Sequence, residues 1–294
     1  MPQGPEPMAV SVFSNGFTLA LGGGGARGWA HVGVARALEE RGMRPVRIVG
    51  TSMGAIVGAA LAAGRSPDTI EAGALRTPVH RLMVQRGRFA LFDPWPVLEH
   101  LSRELGDPRI EDLPTPLGVT TYDLVAGTPR LITRGRLVDA LEVSIAVPFF
   151  FPPRRDSEGV WCDAGPWEGI PVTLARAWDA ALPVIGVLAD IPKPSFLASR
   201  AGAAFLRAVS ARLGVGTVQD RLTARRYLAL LTGRWADPVV HLSPDLLIAP
   251  RLGRMNALQF GRVSDAIAIG ERDARLALAS IGASSSREAL RHAG

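Results

Sequence analysis

The chain has 294 residues, 47% of them hydrophobic, a net charge of +6 and a single cysteine. This size and composition can bury a sizeable core, in one large α/β domain or in two small ones. The lone Cys162 excludes an internal disulfide and is interpreted as a packing residue. No apolar run reaches the ~18 residues of a membrane span, so no transmembrane helix is expected. No cluster of ligands has metal-binding spacing, so no metal is expected, and no cofactor is expected either.

The first 14 residues contain no basic segment and only a short apolar patch, which is unlike a signal peptide. We expect residues 1–14 to be a flexible segment and the protein to be cytoplasmic. The first predicted strand, Phe17–Leu21, leads into the glycine run Gly22–Gly28 and a helix-like segment, Trp29 to Arg41. A glycine run at such a turn can direct several backbone N–H groups at one anion.

The same glycines also permit a different interpretation. Gly23, Gly25 and Gly28 have the Gly-x-Gly-x-x-Gly register of a dinucleotide-binding loop. That interpretation predicts an acidic residue about 20 positions on, at the end of the second strand, to bind a ribose. This place is occupied by Gly50-Thr51-Ser52, and nearby arginines leave a loop that binds NADP as an alternative.

The second strand-to-helix turn carries the most informative motif. A short apolar run, 46–49, precedes Gly50-Thr51-Ser52-Met53-Gly54, and a helix-like run, 55–63, follows it. Gly-x-Ser-x-Gly between a strand and a helix is the nucleophile-elbow pattern, in which Gly50 and Gly54 avoid steric collision in a tight turn. The helix N-terminus would then place about half a positive charge beside the Ser52 hydroxyl.

Further strand-like runs alternate with helix-like segments along the chain, at 117–121, 130–133 and 183–188. This alternation predicts an α/β fold with a mostly parallel central sheet and helices on both faces. Between them lies the block Ser144–Pro153, followed by the strand-like Val160-Trp161-Cys162 and then Asp163. An aspartate at a strand end can project into a site, although it can equally begin a turn.

Together these motifs resemble the bacterial patatin-like phospholipase family. The matching elements are Gly23–Gly28, Gly50–Gly54, Ser144–Pro153 and the element at Asp163, in the family's order and with its spacing. Weaker similarity continues to about Ile281. The resemblance implies a three-layer acyl hydrolase domain over residues 15–282, followed by a flexible tail, 283–294.

The resemblance also implies a Ser–Asp dyad that acts on lipid esters. Ser52 would be the nucleophile that forms an acyl-enzyme, and Asp163 its general base. The backbone N–H groups of Gly24, Gly25 and Ala26 would form the oxyanion hole, and Arg27 would brace this loop or meet substrate phosphate. The substrate would be a phospholipid, a lysophospholipid or an acylglycerol.

Two departures from the family pattern keep other functions open. Ala164 replaces the glycine that usually follows the aspartate, and Gly169 replaces an asparagine before Ile170-Pro171. A less rigid Asp163 would favour a catalytically weak or inactive lipid-binding protein of the same fold. A carboxylesterase or thioesterase acting on a soluble ester is a further alternative, as is a triad with His241 as its base.

The basic residues are all arginine except Lys193, and they are dispersed, so nucleic-acid binding is not expected. Two apolar segments that carry arginines, 81–89 and 205–213, are instead candidates for peripheral contact with a phospholipid surface.

Overall fold

The computed structural model describes residues 12–85, 90–148, 150–189, 223, 225–226 and 242–292, the last twelve of them for the backbone only. Eight strands form one sheet: β1 (Thr18–Leu21), β2 (Arg47–Gly50), β3 (Leu117–Asp123), β4 (Thr128–Ile132), β5 (Arg154–Arg155), β6 (Val160–Cys162), β7 (Val184–Val187) and β8 (Leu246–Ile248). The α-helices are α1 (Ala30–Glu39), α2 (Met53–Ala62), α3 (Pro67–Arg76), α4 (Val79–Leu82), α5 (Trp95–Leu105), α6 (Leu137–Ser144), α7 (Val172–Trp178) and α8 (Val263–His292).

The sheet is mixed but mainly parallel at its centre. Its strand order is β5-β6-β3-β2-β1-β7-β8, and β4 pairs with β3 outside this path. The five strands β3, β2, β1, β7 and β8 run parallel to one another, whereas β4, β5 and β6 are joined by antiparallel pairing. The predicted run at 130–133 is therefore a strand, but an antiparallel one.

Strand β1 is the middle one of the five parallel strands, and all four of its residues are buried. Leu19 and Leu21 face the large core that includes α1, α2 and α8, whereas Ala20 faces a smaller cluster with Val172 and Ala175 of α7. A parallel strand with both faces covered is expected to be apolar at every position. The predicted α/β fold with helices on both faces is confirmed.

The structure describes part of each of the two segments that were predicted to be flexible. Helix α8 continues to His292, so the segment predicted as a flexible tail is helical as far as that residue. Phe13, within the segment predicted as flexible, is buried and packs edge-to-face on Phe17, with ring centroids 6.0 Å apart. In the part of the chain that the structure describes, no helix has both the length and the hydropathy to cross a membrane.

Helix α8 packs against α1 through two glycines that allow the backbones to touch. A Cβ atom on Gly33 would lie 2.0 Å from the Ile267 carbonyl oxygen, and one on Gly270 would lie 2.1 Å from the Ala30 carbonyl oxygen. Real Cβ atoms do not approach backbone this closely, so any larger residue must separate the two helices.

We predict that Gly33→Ala destabilises the fold by about 1–3 kcal/mol, because the added methyl group overpacks a backbone contact. The measurement is the urea midpoint of unfolding. Gly261→Ala is the matched control, since a Cβ at Gly261 has no atom within 4 Å. Equal midpoints for the two variants would contradict this packing of α8 on α1.

Candidate active site

The turns after β1 and β2 lie side by side because these strands are parallel neighbours. Leu21 pairs with Gly50 in the strand register, and the Thr51 N–H donates to the Leu21 carbonyl at 3.0 Å. The carboxyl ends of adjacent parallel strands are where α/β proteins place their ligand sites. The glycine run and the predicted elbow therefore meet at this edge of the sheet.

The elbow requires its two glycines. A Cβ atom on Gly50 would lie 2.5 Å from the Gly54 carbonyl oxygen, and one on Gly54 would lie 2.3 Å from the Leu21 carbonyl oxygen. Between them Ser52 has φ 55° and ψ −121°, in a region that non-glycine residues rarely occupy. Such strain is typical of a nucleophile elbow.

A hydrogen bond from the backbone N–H of Ser52 holds this residue at the N-terminus of α2. Its N–H donates to the Ser144 hydroxyl oxygen at 2.9 Å, and its side chain is largely buried. The next N–H, that of Met53, has no acceptor among the residues the structure describes. Sequence reasoning did not assign a role to Ser144 or Met53, although an elbow generally directs the N–H after its nucleophile at the oxyanion.

Asp163 follows β6 and is brought to Ser52 by the same segment that holds the elbow. Its N–H donates to the Ala146 carbonyl at 3.1 Å, two residues beyond Ser144. The Gly165 N–H donates to the Asp163 carboxylate at 2.6 Å. The structure therefore brings together the two side chains predicted as a dyad.

Burial dominates the electrostatics of Asp163. Its side chain is fully enclosed, and desolvation raises the carboxyl pKa to about 6, while hydrogen bonding from Gly165 and from the Ser52 side chain lowers it. A carboxyl with a pKa near 6 is a stronger base than an ordinary aspartate. It is still largely ionised at neutral pH.

The two departures from the family pattern fit the fold. Ala164 has no positive φ, and its side chain is buried in a small cluster with Tyr122, Leu124 and Cys162. The Cβ of Ala164 therefore imposes no left-handed backbone conformation on this turn. Gly169 has room for a side chain, since a Cβ there would meet only Leu188, at 3.6 Å.

The glycine loop supplies backbone donors, but not all those expected. The N–H groups of Gly23, Gly24 and Gly25 have no acceptor within the described residues. Gly25 has φ 53°, and a Cβ there would lie 2.4 Å from the Ala257 carbonyl oxygen. The Ala26 N–H, expected in the oxyanion hole, instead donates to that carbonyl at 2.8 Å, which corrects the expectation for Ala26.

Arg27 braces this loop from within the protein. It is 3% exposed, and its guanidinium donates to the carbonyl oxygens of Met255, at 2.5 Å, and Gly253, at 3.3 Å. Of the two roles expected for Arg27, the structure shows bracing. Gly28 packs on the elbow helix, where a Cβ would lie 2.7 Å from the Met53 Cβ.

The other groups considered from the sequence are His241, Cys162 and a metal site. His241, the alternative base, falls outside the described residues. Cys162 is buried beside Asp163, and burial raises its thiol pKa well above the usual value, so it is no thiolate nucleophile. No group of three or more His, Cys, Asp or Glu residues in the described part of the chain could hold a metal ion.

The raised pKa of Asp163 has a consequence for stability. The carboxyl titrates near 3.8 when unfolded and near 6 when folded, so burying the charge carries its full cost above pH ~6. This cost is relieved as the pH falls from ~6 to ~4.

We predict that Asp163→Asn is more stable than the wild type at about pH 8, by up to ~3 kcal/mol, and that this advantage shrinks at about pH 4.5. Urea unfolding of both proteins at the two pH values measures it. An advantage that is absent at pH ~8, or that grows towards low pH, would contradict the assigned environment of Asp163.

The chain is similar in sequence to proteins of a known family. The family model for patatin-like phospholipases matches residues 19–176. An uncharacterized NTE family protein of Mycobacterium tuberculosis is 34% identical over 200 residues, covering 64% of this chain and 51% of the relative. Patatin-like phospholipase domain-containing protein 7 of Rattus norvegicus is 33% identical over 183 residues, covering 59% of this chain and 14% of the relative.

A third relative, lysophospholipase NTE1 of Mycosarcoma maydis, is 30% identical over 171 residues, covering 55% of this chain and 9% of the relative. The chain thus spans about half the length of its mycobacterial relative and far less of the two eukaryotic ones. The crystal structure of VipD from Legionella pneumophila superposes with a TM-score of 0.54 at 14% identity, over 90% of this chain and 66% of VipD. The family model covers more than half of the 294 residues, and the chain belongs to the patatin-like phospholipase family.

Proposed function

We propose that this protein is a lipid acyl hydrolase that cleaves carboxylic esters through an acyl-Ser52 intermediate, with Asp163 as general base. The observation that carries the proposal is the burial of Asp163 against an elbow serine at a helix N-terminus. Family membership supports the reaction class. The relative from Mycosarcoma maydis is named a lysophospholipase, which supports lysophospholipids among the substrates.

In the proposed reaction, ionised Asp163 accepts the Ser52 hydroxyl proton as Oγ attacks the ester carbonyl carbon. The carbonyl π electrons move onto oxygen, and the N–H of Met53 with those of the glycine loop would stabilise this oxyanion. When the tetrahedral intermediate collapses, the carbon–oxygen bond to the alcohol breaks and Asp163 returns its proton to the leaving oxygen. Water then repeats the sequence on the acyl-Ser52 ester and releases the fatty acid.

To act on a lipid, the protein must also contact the membrane or micelle that contains it. Arg81, Val84 and Trp95 are exposed, Trp95 by 66%. Val84 and Trp95 are joined through Asp93, whose N–H donates to Val84 and whose carboxylate accepts the Trp95 N–H. An exposed tryptophan beside apolar and basic side chains suits a phospholipid interface. Of the two candidate segments, residues 86–89 of the first and the whole of the second, 205–213, lie outside the described residues.

We predict that Ser52→Ala and Asp163→Asn each lower fatty-acid release from lysophosphatidylcholine by about 100-fold or more, because each removes a group required for attack. The measurement is fatty-acid production by the purified protein at about pH 7.5. The matched carboxylate control is Asp265→Asn, since Asp265 is an exposed partner of Arg262, and we expect it to retain wild-type activity.

Other outcomes would favour other functions. Full activity in Asp163→Asn would exclude it as the base, and loss of activity in a folded His241→Ala variant would favour a histidine triad. A wild type that binds vesicles without releasing fatty acid would be a lipid-binding protein. Hydrolysis confined to short soluble esters or thioesters would indicate an esterase or thioesterase.

A further inference from the structure

The imidazole of His31, in the first turn of α1, is completely buried and is not used by the proposed reaction. Its Nε2 lies 2.8 Å from the Gly22 carbonyl oxygen. Burial lowers the pKa of this imidazole to about 4, so the ring is neutral at physiological pH. Because a carbonyl oxygen can only accept, Nε2 carries the ring proton and donates it to Gly22.

This hydrogen bond acts on the first peptide unit of the glycine loop. The Gly22 carbonyl and the Gly23 N–H belong to one planar trans peptide, so they point in opposite directions. The other end of Gly22 is already fixed, because its N–H donates to the Val187 carbonyl at 3.0 Å. Holding the Gly22 carbonyl therefore determines where the Gly23 N–H points.

Gly23 lies directly beside the candidate nucleophile. A Cβ atom on Gly23 would be 3.6 Å from the Ser52 Cβ. The Gly23 N–H has no acceptor among the described residues, although the residues around it are buried. An unpaired donor at this position is what an oxyanion requires.

We propose that His31 is a positioning residue, whose Nε2–H holds the Gly22 carbonyl so that the Gly23 N–H is presented to the oxyanion formed at Ser52. The proposal rests on the proposed hydrolase function. It assigns the histidine no proton transfer, since its donor nitrogen is engaged by the backbone.

Packing alone does not account for a histidine here. The Nδ1 atom is buried and has no hydrogen-bond partner within the described residues. A buried unpaired acceptor is unfavourable, and an apolar side chain of similar size would avoid it. The bond from Nε2 to Gly22 is the interaction that a leucine in this place would lack.

Substitutions of His31 distinguish the effect of losing the Nε2–H donor from the effect of changing the side-chain volume. The glutamine amide nitrogen reaches about as far as Nε2, whereas the asparagine amide nitrogen reaches only as far as Nδ1. We expect His31→Gln to retain kcat within about threefold, and His31→Leu and His31→Asn to lower kcat by about 10- to 100-fold, with KM within about twofold. A misdirected oxyanion donor affects the transition state rather than substrate binding.

The readouts are steady-state fatty-acid release from lysophosphatidylcholine and urea midpoints, with His100→Leu as the control. His100 is half-buried on α5, and its Nε2 lies 3.0 Å from the Thr77 hydroxyl oxygen, so we expect its replacement to leave kcat unchanged. If the His31→Leu variant does not fold, the kcat values of His31→Gln and His31→Asn still show whether the donor at the Nε2 position is required.

Equal kcat in all folded His31 variants, or equal losses in His31→Gln and His31→Asn, would overturn the proposal. A wild type that releases no fatty acid and whose Ser52 takes no fluorophosphonate adduct would instead contradict the proposed function, and the role of His31 with it.

Discussion

The close approach of two backbone turns at the ends of β1 and β2 is the constraint on which the candidate site depends. Gly54 lets the start of α2 touch the carbonyls of Leu21 and Gly22, and Gly28 lets the glycine loop touch Met53. The Gly54 contacts are with backbone atoms and the Gly28 contact is with the Met53 side chain, and a Cβ at either glycine would collide with these atoms. These contacts set the Ser52 hydroxyl beside several N–H groups that have no acceptor in the described part of the chain, and every chemical step proposed here uses that arrangement.

The second requirement is a carboxylate that stays next to the serine while buried. The segment 144–146 binds both residues, because the Ser144 hydroxyl oxygen accepts the Ser52 N–H and the Ala146 carbonyl accepts the Asp163 N–H. Thr121 supports the same region, since its hydroxyl donates to the Cys162 carbonyl at 2.8 Å. Burial makes the Asp163 carboxyl more basic and costs stability, so the site combines reactivity with local destabilisation.

Local motifs made much of this site predictable. The strand-turn-helix order around Ser52 follows from glycine spacing and apolar runs, and the family resemblance added Asp163. Contacts distant in sequence were not predictable, because no periodicity reveals them. The Ala26 N–H and the Arg27 side chain are taken by carbonyls of 253–257, more than 220 residues away and outside the matched region 19–176. The hydrogen bond between His31 and Gly22 was not predictable either, because no motif in the sequence indicates it.

The most direct test of the account is the rate at which a fluorophosphonate labels the protein as a function of pH, with the adduct located by mass spectrometry. We predict a single adduct on Ser52, with a rate that rises through pH ~6 and then stays level, as Asp163 ionises. We also predict little labelling in Asp163→Asn. Labelling of another residue, or a Ser52 rate that ignores pH and Asp163, would contradict the Ser–Asp dyad.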